Sequence, residues 1–378
     1  MLIETFSAQV RLGVGEPLGG SDPSRFSCGE RDPLEVNGIS FKVDGERDYR
    51  LCSLDALYAG ALVRRFESDP VSHVFAASHT HYAPMLDENK PEIGGFSNSA
   101  FQAFVDALIH SRSNSIRPTH YRLYRSEVDA PVYRRFDHPD NFINRLLSKN
   151  FGFFPNESRE IDRSIYIFVF FDDNRALFAV VYHACHPVTL GVSCELSADY
   201  VAVIRRAVRE RFSLSPVLFF QGCAGDIRPH VAQKRINWVP RFRLNWRFNW
   251  RPNALMVAEV EKKYFEAVMF ALPGEVISIS EGFSLSSRKI ALHGMDDVEV
   301  FEWAIPGGVE FVFCPFEISH LYHLEAMKSG HRRFIVSCSN NTLGYLSHPT
   351  QHKAGGYEVN QSLSYMGLSQ RIEIKEPL

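Results

Sequence analysis

No stretch of this sequence is apolar for the roughly 18–20 residues that a helix needs to cross a bilayer, and no charge of one sign dominates it. Lys+Arg number 41 and Asp+Glu 44, a formal net charge of −3. That balance provides no general attraction to nucleic acid or to an acidic membrane surface. The 20 prolines and 24 glycines form no repeated tract, which excludes collagen-like and low-complexity chains. Cysteine is scarce: seven residues, at 28, 52, 185, 194, 223, 314 and 338, widely spread and without a C-x-x-C pair. An odd number so arranged reads as reduced thiols, several of them small hydrophobes in apolar runs, rather than as a disulfide framework or a thiolate metal site. Met1-Leu2-Ile3-Glu4-Thr5-Phe6 has neither the basic nor the apolar segment of a secretory leader, and the chain is expected in the cytoplasm. Familiar catalytic signatures are missing too. There is no G-x-S-x-G, no Walker G-x-x-x-x-G-K-[ST], no H-E-x-x-H and no EF-hand loop, and Gly13-Val14-Gly15 runs into Pro17 rather than a helix.

What is present reads as an ordinary folded protein, 45% hydrophobic and 22% charged over 378 residues, long enough for one large or two modest domains. Residues 38–43 and 49–52 read as strands, 54–66 as a helix with Ser53 as its N-cap, and 73–77 as a strand that stops at Ser78-His79-Thr80-His81. Residues 99–116 have helical periodicity. Residues 164–171 and 176–182 flank Asp172-Asp173-Asn174 as a hairpin. Ser197-Ala198-Asp199 can cap a helix reaching about residue 212, and 216–220 is a buried strand. Further on, 309–313 and 334–338 read as strands and 317–327 as a helix. Polar, chemically capable residues repeatedly stand where an apolar strand stops, the place where open α/β sheets bind ligands. No linker or repeat divides the chain. The expectation is one α/β domain over 1–378, a mixed β-sheet core flanked by helices with the active site at strand ends, and residues 231–253 as an insertion.

Several residues in those positions can carry chemistry. In an extended chain His79 and His81 point to the same side, as a pair of metal ligands or as capping histidines. His183 and His186, three apart and followed by Pro187, fit a site through one of the two while the other packs. Glu317 is either a ligand or a first-turn glutamate facing a helix dipole. Gly222-Cys223-Ala224-Gly225-Asp226-Ile227-Arg228-Pro229 either turns backbone N–H groups toward an anion or forms a tight turn.

Taken together, these segments resemble the catalytic domain of neutral (non-lysosomal) ceramidases and their shorter bacterial relatives. The resemblance rests on eight segments in order: Ser53-Leu54-Asp55, Ser78-His79-Thr80-His81, Cys185-His186-Pro187-Val188-Thr189, Ser197-Ala198-Asp199, Gln221 to Pro229, Pro315-Phe316-Glu317, Tyr345 after Ser339-Asn340, and Tyr357-Glu358. It implies one zinc ion per chain, held by His79, His186, Glu317 and Tyr345, a donor set that suits zinc. It also implies His81 as a hydrogen-bonding neighbour or proton donor, Tyr345 as oxyanion stabiliser and Tyr357 as a substrate contact. Asp55, Asp199 and Asp226 then stand behind the ligands, and a site arginine falls at Arg134 or Arg135, with Arg135 taken as the substrate contact. The activity implied is zinc-assisted hydrolysis of an amide by an amidohydrolase or deacylase, with ester or lactone hydrolysis and non-catalytic binding as the rival readings.

Three departures shift the expected substrate away from ceramide. Arg228 stands where the family has a serine, Tyr82-Ala83-Pro84-Met85-Leu86-Asp87 replaces a glycine-rich rim, and no leader is evident. An arginine there can fork onto a carboxylate or phosphate, so the expected substrate is a small, anionic or glycan-type N-acyl compound. The motifs run almost to the C-terminus, which implies a short, bacterial-type member without the C-terminal β-sandwich domain. Within 234–251 lie six Lys/Arg and three of the four tryptophans, and residues 241–250 alternate cationic or amide with aromatic or leucine side chains. Period 2 predicts a strand arm, acting as a cover for the core, a homo-oligomer contact, a lid over the substrate or a nucleic-acid-binding surface, the last weakened by the near-neutral net charge.

Overall fold

Two five-stranded sheets lie face to face, and the alternation of their side chains shows why. In the strand Ser164–Asp172 every second residue is apolar on both faces. Ile165, Ile167 and Val169 turn toward Val201, Ile204 and Val208 of the helix Tyr200–Phe212 and Tyr264 of the helix Ala254–Met269. Tyr166, Phe168 and Phe170 turn the other way, onto Ile39 and Leu51 of the second sheet. That sheet's far face, with Val36, Leu54 and Phe75, packs on the helices Gly60–Phe66 and Asn98–Ile109 through Leu62, Phe104 and Leu108. Strands buried on both faces lose the polar alternation of a half-exposed strand, and the result is an α/β/β/α stack. A four-stranded sheet closes one end of the central core with Trp303, Phe311 and Phe334. The computed structural model describes residues 1–20, 22–43, 47–135, 153–234, 246–328, 330 and 332–378. Among these no helix is long and apolar enough to cross a membrane.

The sheets are mixed, as the α/β expectation requires. Arg47–Leu54 pairs in parallel with Ser72–Ala77, Arg175–His183 with Val217–Gln221, and Val309–Phe313 with Arg332–Val336. The ends of these parallel pairs are stitched to one another. Ser53 Oγ donates to the Phe219 carbonyl (2.8 Å) and accepts from its N–H (2.9 Å). Ser337 N donates to Gln221 O (2.7 Å) and Ala77 N to Cys338 O (3.1 Å). The polar residues that follow the strands therefore meet in one place.

Three local expectations change. Ser53 is not a helix cap: the strand runs through Leu54 and the helix starts at Gly60, because residues 55–59 form a loop whose carbonyls serve the site described below. Glu317 is not in a first helical turn but in the short strand Phe316–Ile318, and the helix spans His320–Lys328. The helical periodicity read over 99–116 covers the helix Asn98–Ile109, capped by Ser97, and then the strand Ser113–Ile116. In the 231–253 segment, Ala232–Lys234 pairs antiparallel with Trp246–Phe248. Residues 241–245 of the alternating stretch lie outside the described residues.

The cysteine expectation is overturned at one pair. Cys28 and Cys194 form a disulfide with Cα atoms 5.4 Å apart, while Cys52, Cys185, Cys223, Cys314 and Cys338 are free and buried. The two partners are 166 residues apart, and sequence spacing says nothing about such a pairing until the strands Gly29–Glu30 and Glu195–Leu196 lie side by side. Structural disulfides persist in oxidising compartments, so the cytoplasmic expectation loses the support it drew from cysteine. Thiol titration of the denatured chain should read five groups before reduction and seven after it; seven at both steps would refute the bridge.

Candidate metal centre and active site

Each chemically capable side chain is delivered by a loop at a strand end. His79 follows Ser72–Ala77 in a left-handed conformation, φ 64°, which is costly for a residue with a Cβ and persists only when surroundings impose it. Here the imposing groups are carbonyls of the neighbouring strand end and loop: Ser78 N and His79 N donate to Leu54 O (2.9 Å) and Ala56 O (3.0 Å). His79 Nδ1 lies 3.2 Å from Leu57 O. His186 follows Arg175–His183, and its Nδ1 lies 2.5 Å from Ala224 O and 3.1 Å from Ile227 O. A carbonyl can only accept, so in both rings Nδ1 carries the proton and Nε2 is turned into the site. Glu317 is set opposite Tyr345 by the parallel pairing of Phe316–Ile318 with Gly344–Leu346.

These atoms converge on one point. His79 Nε2 and His186 Nε2 lie 3.1 and 3.3 Å from Glu317 Oε2, yet none of the three atoms makes an aligned hydrogen bond, and all three are covered from solvent. The ligand nitrogens of His79, His81 and His186 lie within 4.8 Å of one another. Buried polar atoms without partners are costly, and imidazole nitrogens aimed with a carboxylate oxygen at a common centre are the donor set of a divalent metal. The residues present therefore fit a metal ion. Burial alone would raise Glu317, but His79 and His186 hold it well below the usual carboxylate range. Burial would lower His79, but Cys338 and Glu317 raise it well above the ordinary histidine value, so without an ion the two form a charged pair. Burial, with Arg134 adding to it, lowers His186 to about 4, which favours the neutral, ligating form.

His81 comes closer to the centre than a mere neighbour. Its ring stands 5.2 Å from that of His79 and 5.9 Å from that of His186, edge-on to both. Burial first, then His79 and His186, push it well below the ordinary histidine range. Its carbonyl receives Arg25 Nη2 at 2.8 Å. Gly20 packs so tightly on its ring that a Cβ there would lie 2.3 Å from Nδ1, and with φ +108° the position demands glycine. His183 is the member of its pair that packs instead, between Ser164 O (2.9 Å) and Tyr264 OH (3.2 Å).

The three aspartates stand one step further back. Asp199 and Asp226 fasten segments that carry a ligand side chain, and Asp55 fastens the loop whose carbonyls hold the His79 turn. Asp55 accepts from Glu35 N (2.8 Å) and pairs with Arg205, at the root of the 55–59 loop. Asp199 caps its helix and accepts from Thr189 N (2.8 Å) and Thr189 Oγ1 (2.6 Å), tying down the chain after His186. Asp226 accepts from Ser319 Oγ (2.6 Å), His320 N (2.9 Å) and Gln351 Nε2 (2.7 Å), tying down the chain after Glu317. In the glycine-rich segment around Asp226 both glycine N–H groups are turned inward, Gly222 N donating to His183 O (2.8 Å) and Gly225 N to Ile318 O (2.7 Å).

Above the centre is a cavity of about 560 Å³. Tyr345, Tyr357, Arg134 and Arg228 line it with the histidines and Glu317. Between the two arginines of the 134–135 pair, the structure corrects the sequence choice. Arg135 does not line the cavity; it is spent on Glu358 and on Gly355 O (2.6 Å). Arg134, anchored by Glu358 Oε1 at 2.8 Å, donates to Tyr345 OH at 3.3 Å. Sequence reading missed Tyr58 altogether. Its hydroxyl donates to Glu317 Oε1, but in Ala56-Leu57-Tyr58-Ala59 it looks like one more apolar core position. A larger groove, about 650 Å³, lies between residues 63–75 and 295–301 and contains none of these groups.

The geometry thus defines an α/β protein with a buried histidine–carboxylate centre at the strand ends, open to a cavity. No family model matches the chain, and no curated protein matches it in sequence. Among solved structures, the crystal structure of neutral ceramidase from Pseudomonas aeruginosa has the same fold, with a TM-score of 0.65 over 94% of this chain and 70% of that one at 13% identity. A ceramidase complexed with C2 gives the same TM-score over 94% and 71%, at 12% identity. The neutral-ceramidase fold that the motifs implied is the fold of this chain.

Proposed function

We propose that this chain is a zinc-dependent amidohydrolase that cleaves the N-acyl amide bond of a small compound bound in the 560 Å³ cavity. The observation that carries the reading is the convergence of His79 Nε2, His186 Nε2 and Glu317 Oε2, buried and without aligned hydrogen bonds, at the floor of that cavity. His79, His186 and Glu317, with Tyr345 beside them, would hold the ion; His81 is within reach of the same set. Zinc bound there supplies Lewis acidity and acidifies water to near neutrality.

The protein's own groups do the rest. Tyr345 is kept protonated, since burial and then the Glu317 charge raise its pKa well above the ordinary value, so its hydroxyl can donate to the oxygen on which charge develops as the carbonyl is attacked. Arg134, hydrogen-bonded to that hydroxyl, aims it and favours negative charge nearby. His81, neutral at rest, accepts the proton that the attacking water loses and passes it to the departing nitrogen. Tyr58 fixes the rotation of the Glu317 carboxylate through Oε1, leaving Oε2 for the centre.

Tyr345→Phe should lower kcat by about 100- to 1,000-fold, the effect of losing one oxyanion donor, with KM changed by less than a few-fold. The substrate class is tested by offering N-acylated amino acids, amino sugars and sphingolipids, each with its ester counterpart, to the zinc-loaded protein. Turnover of esters with none of amides would replace the amidohydrolase reading. A purified protein that holds no zinc and does not retain it when supplied would remove the reading entirely.

A further inference from the structure

Arg228 is the unexplained charge of the cavity. It sits on the short strand Ile227–Pro229, opposite Val132, is 3% exposed and lines the cavity. Among the described residues no carboxylate pairs with it, and its Nε has no hydrogen-bond partner. A nearby carboxylate, Asp199, is already occupied by Thr189 and Tyr200. What does touch the guanidinium is aromatic: its carbon lies 4.3 Å from the ring centroid of Phe248 and 4.8 Å from that of Trp250. Both rings belong to the 231–253 segment. Burial, reinforced by the Arg134 charge, lowers Arg228 to about 10, still cationic at neutral pH. A buried cation without a carboxylate partner is costly, and aromatic contacts stabilise its flat faces without taking up its N–H groups, of which Nε has no partner.

We propose that Arg228, braced by Phe248 and Trp250, receives a carboxylate on the amine half of the substrate, so that the compound hydrolysed is an N-acyl amino acid. The inference rests on the amide-hydrolase reading for its scissile bond, but the anion site stands on its own geometry. A planar carboxylate matches a guanidinium edge with two parallel hydrogen bonds, and Nε supplies one donor without a partner. Besides Trp250, Val188 and Val192, the cavity has an apolar wall from elsewhere in the chain, Leu57, Ile93 and Met366, which cluster with Tyr58 and Tyr345. An acyl chain belongs there, which leaves the charge to the other half of the molecule. The aromatic arm is then a specificity device, since it holds the arginine in place.

The test uses a ligand that cannot be hydrolysed, 4-oxononanoate, in which CH2 replaces the nitrogen of N-hexanoylglycine, and its neutral primary amide. Calorimetric titration of the zinc-loaded protein should show the acid binding at least about tenfold more tightly than the amide, the scale of one charge-assisted pair. Arg228→Gln should abolish that preference and Arg228→Lys should keep part of it, with thermal melts confirming that both variants fold. Equal affinities in the unmodified protein, no binding of either ligand, or a preference that survives in Arg228→Gln would overturn the proposal; the last outcome would place the carboxylate on the metal centre. A tighter fit for an O-phosphoethanolamine amide than for the acid would overturn it in favour of phosphate. The two readings fail separately. Amide turnover without acid preference removes the anion site alone, and Arg228-dependent binding without turnover of any N-acyl compound removes the hydrolase alone.

Discussion

His79→Ala and His186→Ala should each reduce bound zinc from about one ion per chain to a trace, and hydrolysis should fall with it by more than about 100-fold. The size follows from what replaces the ligand. Losing even an outer partner of a metal-binding histidine costs about 10- to 100-fold in affinity or activity, and alanine removes the donor nitrogen itself. Glu317→Gln should do the same although it keeps the shape, because Tyr58 can still donate to Oε1 while the atom facing the two imidazoles becomes an amide that donates rather than ligates. His183→Ala is the internal control. That ring is as buried as His186 but is bonded to Ser164 O and Tyr264 OH, so its loss should lower stability and leave zinc content at about one per chain. Elemental analysis and hydrolysis measured on the same preparations check all four. Retention of zinc by both His79→Ala and His186→Ala would sink the metal centre.

The sequence pattern reported what depends on local order and missed what depends on packing between distant segments. That the histidine pairs and Glu317 would stand near one another was legible because each closes or follows an apolar run, and polar side chains at such stops share a sheet edge. The choice of His79 and His186 within their pairs, and Tyr345, came from the family resemblance alone. A helix cap within Ser197-Ala198-Asp199 was legible, since an N-cap is a local device, and the structure gives that place to Asp199. Arg134 could not be told from Arg135 because adjacent residues alternate in direction, and one more residue of extended chain decides which faces the cavity. Tyr58 was lost to the opposite ambiguity: its neighbours are apolar, and only the approach of Glu317, 259 positions later, gives its hydroxyl a task. The disulfide was lost for the same reason, and so was the partnering of Arg228 with Phe248 and Trp250. In each case the deciding partner lies across the fold.

The largest expected loss of stability comes from a residue that touches neither metal nor substrate. Arg205, 2% exposed, projects from the helix Tyr200–Phe212 into the space between Asp55 and Glu35, pairing with Asp55 Oδ2 and standing 3.4 Å from Glu35 Oε2. Arg205→Ala should lower the unfolding free energy by about 3–5 kcal/mol, the usual cost of stranding a buried charge. Asp55 is wholly buried and loses its cation; Glu35 retains Arg209 at 2.6 Å. The pH dependence separates the two acids. Burial would raise Glu35, but Arg205 leads a set of partners that depress it to about 2 from an ordinary 4.5. Its contribution is therefore full above about pH 4.5 and lost as the pH falls toward 2, and that acid limb should shrink in the variant. Asp55 is shifted upward by its desolvation and does not share that limb. If the loss arises from stranded carboxylates rather than from missing attraction, Arg205→Met combined with Asp55→Asn and Glu35→Gln should recover most of it in urea unfolding; a triple variant no more stable than Arg205→Ala would refute that cause. The same cluster roots the 55–59 loop, whose carbonyls hold His79 in its left-handed turn and whose Tyr58 steadies Glu317. Arg205→Ala should therefore also weaken zinc retention at temperatures where the protein is still folded, a loss that damage confined to the helix would not produce.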